Sequence, residues 1–195
     1  MAAHTQKRKE DWKFMGKWYV LHVLTKREFQ AVEDIKKYNA VKFIENVFPF
    51  IPSTETYFRR KLNIKKEEKY FLFPGYVFFE TPMDTDDILD YANGLIKNCQ
   101  NIIKILRYGD SREMAVEWDE QFELMKFMDD KFCIRASEGY KIKDAVTIMD
   151  GPLVGCEGII EKIDRHKMEA SIHINLFGEN RLIKLGLYVV LKQDE

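Results

Sequence analysis

The sequence predicts an α+β fold in two domains: an N-terminal antiparallel sheet with helices packed on one face, then a small five-stranded β-barrel. Strand-like and helix-like periods alternate up to residue 129. Beyond residue 140 almost every segment has strand length and is bounded by turn residues. Of the 195 residues, 46% are hydrophobic and 13% aromatic, so packed cores are easily supplied.

The first domain opens with an aromatic and β-branched strand at residues 18–24. Residues 26–39 change to the helical period and carry acidic residues in their first half. Two prolines place the extended stretch 47–52 at a sheet edge or strand end. Residues 53–70 are typical of a hairpin or long loop with a basic tip. The remaining elements are aromatic strands on either side of Pro74-Gly75, a helix at 84–95, a strand at 102–106 and a helix at 117–128.

The second domain consists of short strands separated by turns. We expect these strands at residues 145–149, 158–163, 169–176, 181–184 and 189–192. Their β-branched residues favour a stable barrel over helices. The predicted boundaries are a flexible tail at 1–16, a first domain at 17–129, a linker at 130–139 and a barrel at 140–195.

Charge and cysteine content limit the class of protein. Lysine and arginine total 31 against 32 acidic residues, so any nucleic-acid contact has to come from a local basic patch. The three cysteines form no CxxC pair, which argues against a disulfide framework or a zinc finger. No apolar run is long enough to span a membrane, and the N-terminus is not a secretory signal. We expect a cytoplasmic monomer.

The sequence offers no pattern typical of an enzyme. The four histidines have no metal-ligand spacing, and there is neither a phosphate-binding loop nor a dinucleotide fingerprint. The acidic run at residues 84–87 lacks the glycine and distant glutamate of a calcium loop, so it indicates the start of a helix. We predict no catalytic, cofactor-binding or metal-binding residue.

Four short motifs carry a family resemblance. They are Trp18-Tyr19-Val20, Phe73-Pro74-Gly75-Tyr76-Val77, the run Gly151-Pro152-Leu153-Val154-Gly155-Cys156-Glu157-Gly158, and Ile174-Asn175-Leu176-Phe177-Gly178. Because the four motifs occur in this order, the chain resembles the NusG family of transcription elongation factors. The resemblance extends from residue 17 to residue 191. The resemblance implies an NGN domain that binds RNA polymerase, followed by a KOW domain with an SH3-like barrel.

Departures from the general NusG pattern point to a specialised paralog. Residues 98–101 are Asn-Cys-Gln-Asn where such proteins have Asn-Thr-Pro-Gly, and Glu179 stands where an arginine is usual. The chain is similar in this to the LoaP group, which promotes processive antitermination in long operons. Two alternatives stay open: a housekeeping NusG acting in pausing, Rho termination or ribosome coupling, and a translation-associated RNA-binding protein with a KOW barrel.

The resemblance implies that the clamp region of RNA polymerase binds beside the Pro-Gly pair. The residues expected at this surface are Trp18, Tyr19, Phe71, Phe73, Pro74, Gly75 and Tyr76. Strand alternation sends neighbouring side chains to opposite faces, so one set can fill the core while the other is exposed. The resemblance implies that Phe73 and Tyr76 stand exposed and help to form the docking surface. The alternative is that all these aromatic side chains belong to the core.

Two segments are candidates for contact with nascent RNA or the non-template DNA strand. The basic hairpin carries Arg59, Arg60, Lys61, Lys65, Lys66 and Lys69, and Tyr57, Phe58 and Tyr70 are placed to stack on bases. The second candidate comprises Asn98, Gln100, Lys104 and Arg107, whose amides suit base edges. The alternatives are a solvated hairpin and a plain polar turn.

The expected partner surface of the barrel comprises Arg165, His166, Lys167, Ile174, Leu176 and Phe177. In the NusG family this domain binds a small ribosomal subunit protein or Rho. Glu179, which stands in place of the usual arginine, argues against both contacts here. Arg165, His166 and Lys167 also suit nucleic acid, with a solvated turn as the alternative.

Overall fold

The computed structural model describes residues 16–60, 63–142 and 145–191, without the side chains of residues 59–68 and 191. Contacts group Met1–Phe50 with Gly75–Val116 as one unit, and Ile51–Pro74 with Glu117–Glu195 as another. The hairpin and the third helix, which the sequence assigns to the first domain, thus fall with the C-terminal strands. The boundaries at residues 17–129, 130–139 and 140–195 stay a prediction.

The order of elements is as follows. The strands are β1 (Lys17–Val23), β2 (Phe48–Phe50), β3 (Ser53–Arg60), β4 (Asn63–Phe71), β5 (Tyr76–Thr81), β6 (Ile102–Ile105), β7 (Cys133–Ile134), β8 (Ser137–Ile142), β9 (Ala145–Asp150), β10 (Ile160–Asp164), β11 (Glu169–Leu176) and β12 (Glu179–Leu191). The helices are α1 (Glu28–Lys42), α2 (Thr85–Asn98) and α3 (Trp118–Met125).

The first unit is an antiparallel sheet in the order β2-β5-β1-β6, with α1 and α2 on one face. The short, proline-bearing β2 is an edge strand, as predicted. Helix α2 begins where Asp84 accepts hydrogen bonds from the backbone N–H groups of Asp86 and Asp87, at 3.1 and 3.0 Å. The interpretation of this acidic run as a helix start is confirmed.

Aromatic side chains fill both faces of this sheet. On the helix-covered face, Phe79 stacks on Tyr19 at 5.4 Å and meets Tyr91 of α2 at 5.7 Å between ring centroids. On the other face, Trp18 packs edge-on against Phe50 at 5.0 Å. Strand β5 is therefore buried on both sides from residue 77 to residue 79. The expectation that alternation leaves one set of its side chains exposed is wrong for this stretch.

Tyr91 links the two helices through a buried hydrogen bond from its hydroxyl to Asn39 Oδ1, at 2.8 Å. Burial raises the pKa of this phenol, so it stays protonated and continues to donate. We expect Tyr91→Phe to lower the free energy of unfolding by about 1–2 kcal/mol, because the amide oxygen loses its donor in a buried place. Urea denaturation measures this, with the mutation of exposed Asn93 to Ala as the control.

In the second unit β3 and β4 form an antiparallel hairpin, which confirms the hairpin interpretation of residues 53–70. Strand β7 pairs with β3 in parallel. A curled five-stranded sheet follows in the order β10-β11-β12-β8-β9, with β12 and β8 parallel and the other pairs antiparallel. The predicted small five-stranded architecture is confirmed.

The partition of these strands differs from the prediction in two places. The segments predicted at 181–184 and 189–192 belong to one continuous strand, β12. The fifth strand is β8, which lies entirely outside the predicted strands. Gly186 lies inside β12, where a Cβ atom would lie 2.9 Å from the Cβ of Ala136 and 3.0 Å from the Cα of Thr56. The glycine thus permits a close approach of β3 to β12 rather than marking a turn.

Candidate docking and nucleic-acid surfaces

The Pro74-Gly75 corner is held by a buried carboxylate. Gly75 has φ +85°, and its N–H donates to Glu28 Oε1 at 2.7 Å. Its carbonyl accepts from the Val23 N–H at 2.8 Å, and the Glu28 side chain, at the start of α1, is 1% exposed. Sequence reasoning missed Glu28 as a site residue, because an acid at a helix start gives no sign of a partner 47 residues away.

The predicted docking residues differ in exposure. Trp18 and Tyr19 are fully buried, Gly75 is buried and Phe73 is 6% exposed. Phe71 and Tyr76 are half-buried, and Pro74 is exposed. The expectation that Trp18, Tyr19 and Phe73 provide docking surface is therefore wrong, because large aromatic side chains gain most by leaving water. Tyr76 and Pro74 keep surface for a partner, and their role in docking stays a prediction.

Tyr76 lies beside His22, its cross-strand partner. Their rings are 5.3 Å apart between centroids and tilted by 31°. Both belong to the sheet face opposite the helices, since they share the alternation of Trp18 and Phe78. Trp18 and Phe78 on that face are buried, whereas His22 and Tyr76 are half-buried. His22 is not among the docking residues that the sequence predicts, because a lone histidine in a strand gives no sign of its cross-strand partner.

The basic hairpin is described in part. Lys61 and the side chains of Arg59, Arg60, Lys65 and Lys66 lie outside the described residues. In backbone register, Tyr57 is opposite Lys66 and Phe58 opposite Lys65. Lys69 is exposed. The basic residues other than Lys61 therefore lie on paired strands, and their contact with phosphates stays a prediction.

The three aromatic residues of the hairpin have different environments. Tyr57 is buried, and its hydroxyl donates to Glu138 Oε1 at 2.8 Å. The expectation that Tyr57 stacks on a base is wrong, because its ring packs on Tyr188, 5.6 Å away between centroids. Phe58 is half-buried, whereas the Tyr70 side chain is 53% exposed. Of these three aromatic residues, Tyr70 thus exposes the most surface.

The segment after α2 forms a second candidate surface. Asn98, Gln100, Lys104 and Arg107 are all exposed. Asn98 and Gln100 line a groove of about 570 Å³ with Lys37 and Lys42 of α1. Lys104 and Arg107 are not among its lining residues. Sequence reasoning missed Lys37 and Lys42, because the helical period gives their face but not the turn that packs beside them.

A hydrogen bond ties this turn to α1. The Asn101 amide donates to Asp34 Oδ2 at 2.7 Å, and the Asn98 amide donates to Gly94 O at 2.7 Å. Burial raises the pKa of the adjacent Cys99 thiol, so it is a poor nucleophile. Besides amides and the two ammonium groups, the groove is lined by the Asp34 carboxylate, which the Asn101 amide engages. The two lysines outweigh this one carboxylate, which suits an anionic ligand with hydrogen-bonding edges.

The residues predicted to form the partner surface of the C-terminal sheet also differ in exposure. Arg165, His166 and Lys167 are exposed on a turn in which Asp164 Oδ1 accepts from the backbone N–H groups of His166 and Lys167, both at 3.0 Å. These hydrogen bonds, that from Lys167 foremost, lower the pKa of Asp164.

Two of the predicted partner residues belong to the core instead. Ile174 and Leu176 are buried, because the alternation of β11 points them inward, and the expectation that they form a surface is wrong. Phe177 is half-buried at φ 57°. Its N–H and that of Gly178 donate to the two carboxylate oxygens of Glu120 in α3, at 2.9 and 2.8 Å. Glu120 is a further residue that the sequence did not reveal.

Over residues 16–60, 63–142 and 145–191, no group of three or more histidine, cysteine or acidic side chains is placed to hold a metal ion. Within the same ranges, no helix combines the length and apolar character needed to cross a membrane.

Comparisons with known proteins agree with the four motifs. The family model described as "Transcription termination factor nusG" matches residues 16–126, more than half of the chain. "Transcription termination/antitermination protein NusG" of Rickettsia conorii is 27% identical over 187 residues, which cover 93% of each chain. The protein of the same name from Chlamydia trachomatis is 26% identical over 182 residues, covering 90% of this chain and 94% of the relative.

A solved structure of Thermotoga maritima NusG covers 87% of this chain and 93% of its own, at 22% identity and a TM-score of 0.47. The family match spans the first sheet, its two helices and the β3–β4 hairpin, and the relatives extend across the C-terminal strands. The chain belongs to the NusG family of transcription termination factors.

Proposed function

We propose that this protein is a specialised NusG paralog of the LoaP type, an antitermination factor that promotes processive transcription of particular operons. It acts in the cytoplasm as a monomer without catalysis, by binding the clamp region of RNA polymerase together with nascent RNA or the non-template strand. The relatives' names support a role in termination and antitermination. The departures at residues 98–101 and at Glu179 support the specialised role.

The half-buried pair of His22 and Tyr76 supports polymerase docking. Both rings lie on the sheet face opposite α1 and α2, where they are half-buried, beside the corner that Glu28 fixes. A rigid, partly apolar surface with aromatic rings is the kind that provides most of the energy in protein interfaces. Because Gly75 is fixed by two hydrogen bonds, this surface loses little conformational entropy on binding.

Processivity then follows from differential affinity. A bound factor shifts an equilibrium between paused and elongating polymerase only if it binds the elongating form more tightly. A tenfold preference is worth about 1.4 kcal/mol, enough to change the paused fraction substantially. The protein needs no chemical step for this effect.

The docking proposal predicts that the double variant His22→Ala/Tyr76→Ala binds purified RNA polymerase at least tenfold more weakly, about 1.4 kcal/mol or more. Biolayer interferometry with the full chain measures the affinity. Tyr108→Ala is a matched control, since Tyr108 is also a half-buried tyrosine of the first unit. Equal losses in both variants, or none in the double variant, would remove His22 and Tyr76 from the interface.

Transcription in vitro separates the proposed function from its alternatives. On a terminator template with the native leader, we expect read-through that depends on the leader. Read-through or pausing independent of the leader would favour a housekeeping NusG, and dependence on Rho or a ribosomal protein would place its partner at the C-terminal sheet. Binding to ribosomal RNA without binding to polymerase would favour the translation-associated protein.

A further inference from the structure

A groove of about 570 Å³ in the second unit lies between the β3–β4 hairpin and strands β11 and β12. One wall comes from the hairpin and includes Phe58 and Tyr70. The other comes from the turn before β11 and from the middle of β12, with Lys167 and Lys184. Two segments that the sequence suggests separately for nucleic acid, the hairpin and the 165–167 turn, thus meet at one site.

The floor of the groove is formed by buried, largely apolar side chains. Tyr57, Met168 and Ile183 line it and are buried. The Tyr57 hydroxyl is already engaged by Glu138, and its ring packs on Tyr188. Burial raises the pKa of Tyr57, so the floor carries no phenolate charge. Such a floor favours a flat apolar ligand face over a hydrated ion.

The rim has a different chemistry. Tyr70 is 53% exposed and Leu182 is 52% exposed, so an aromatic ring and an aliphatic side chain face the opening. The cationic lining residues are Lys167 and Lys184, with His166 beside them. Glu169 is the carboxylate among the lining residues, and its Oε2 lies 4.0 Å from Lys184 Nζ. Summed over the lining residues whose side chains are described, the formal charge is therefore positive even with histidine neutral.

We propose that this groove binds a segment of single-stranded RNA, with a base stacked on Tyr70 and the phosphates beside Lys167 and Lys184. Stacking on an exposed aromatic ring with nearby lysines is the usual way in which proteins hold unpaired bases. The inference rests on the proposed function, because it names the nucleic acid and the place where the factor holds it.

Glu169 favours RNA over DNA at this site. A carboxylate repels phosphate but accepts a hydrogen bond from a ribose 2′-hydroxyl, which DNA lacks. The partial burial of Glu169, with its side chain 26% exposed, strengthens such a bond. Single-stranded DNA of the same sequence would keep the stacking and the phosphate contacts but would lose the hydrogen bond to Glu169.

The test uses the full chain and a fluorescent, unstructured RNA of about 12 nucleotides, a length within the usual range for such sites. Tyr70→Ala is expected to weaken binding about tenfold, and Tyr70→Phe to restore it, because the ring supplies the stacking. Lys167→Glu/Lys184→Glu is expected to weaken binding at least tenfold and to reduce the dependence on salt, which Tyr70→Ala leaves unchanged. Lys162→Glu, an exposed lysine outside the groove, is the matched control.

Several results would overturn the proposal. They are wild-type affinity in both groove variants, equal affinity for DNA and RNA, a loss confined to the hairpin-tip variant Arg59→Glu/Arg60→Glu, and displacement of the probe by an acidic peptide but not by unlabelled RNA. A measurement of polymerase affinity distinguishes a failure of the groove proposal from a failure of the proposed function. The groove variants are expected to bind polymerase as tightly as the wild type. If the chain binds RNA through the groove but does not bind polymerase, the proposed function is contradicted and the proposal for the groove remains valid.

Discussion

Replacing Gly186 with alanine is expected to lower the free energy of unfolding of the C-terminal unit by about 3 kcal/mol. The added Cβ would lie 2.9 Å from the Cβ of Ala136 and 3.0 Å from the Cα of Thr56, and it would press against the carbonyl oxygen of Glu55. Two of these three neighbours are backbone atoms, so no flexible side chain can move aside. The strain has to be relieved by separating β3 from β12.

Urea denaturation followed by near-ultraviolet circular dichroism measures this change. Gly158→Ala is the matched control, because a Cβ at Gly158 meets nothing within 4 Å, and we expect an effect within about 0.5 kcal/mol. If the two variants have the same stability, β3 and β12 do not pack as described. The same displacement would open the groove beside β3, so Gly186→Ala is also expected to weaken RNA binding.

The elements that the sequence predicts well are those with a clean local period. Strand β11 has the predicted bounds, residues 169–176, because apolar and polar side chains alternate along it. The acidic start of α2 is local too, since Asp84 caps it through residues two and three positions away. Gly186 shows the limit of prediction from local sequence. A glycine at a turn and a glycine that allows another strand to pack closely look the same in sequence, and only the position of the partner strand distinguishes them.

The candidate sites depend on contacts between distant residues, which a local period does not contain. Alternation suggests that one of two neighbouring aromatic residues is exposed, but Phe73 is buried and Tyr76 half-buried because of what surrounds each of them. The meeting of the basic hairpin with the 165–167 turn spans about a hundred residues of chain. Glu28 and Glu120 were missed for the same reason, as each accepts from backbone N–H groups 47 to 58 residues away.

Glu120→Ala is expected to destabilise the C-terminal unit by about 2–3 kcal/mol, since two hydrogen bonds to a carboxylate are lost. The carboxylate is buried, and it accepts from Phe177 and Gly178, which have positive φ angles of 57° and 69°. This left-handed pair presents two N–H groups to one anion, an arrangement that suits a carboxylate. Helix α3 is thereby attached to the β11–β12 turn.

A graded series makes this prediction specific. Glu120→Gln keeps one oxygen and presents an NH₂ group to the second donor, so we expect about half of the loss. Glu123→Ala, a half-buried glutamate of the same helix, is the control and is expected to cost about 0.5 kcal/mol or less. Hydrogen exchange at Phe177 and Gly178 gives a local measurement, with faster exchange in the order wild type, Gln, Ala. Unchanged exchange in Glu120→Ala would mean that the turn holds its shape without α3, and a partner that binds Phe177 would then not have to displace the helix.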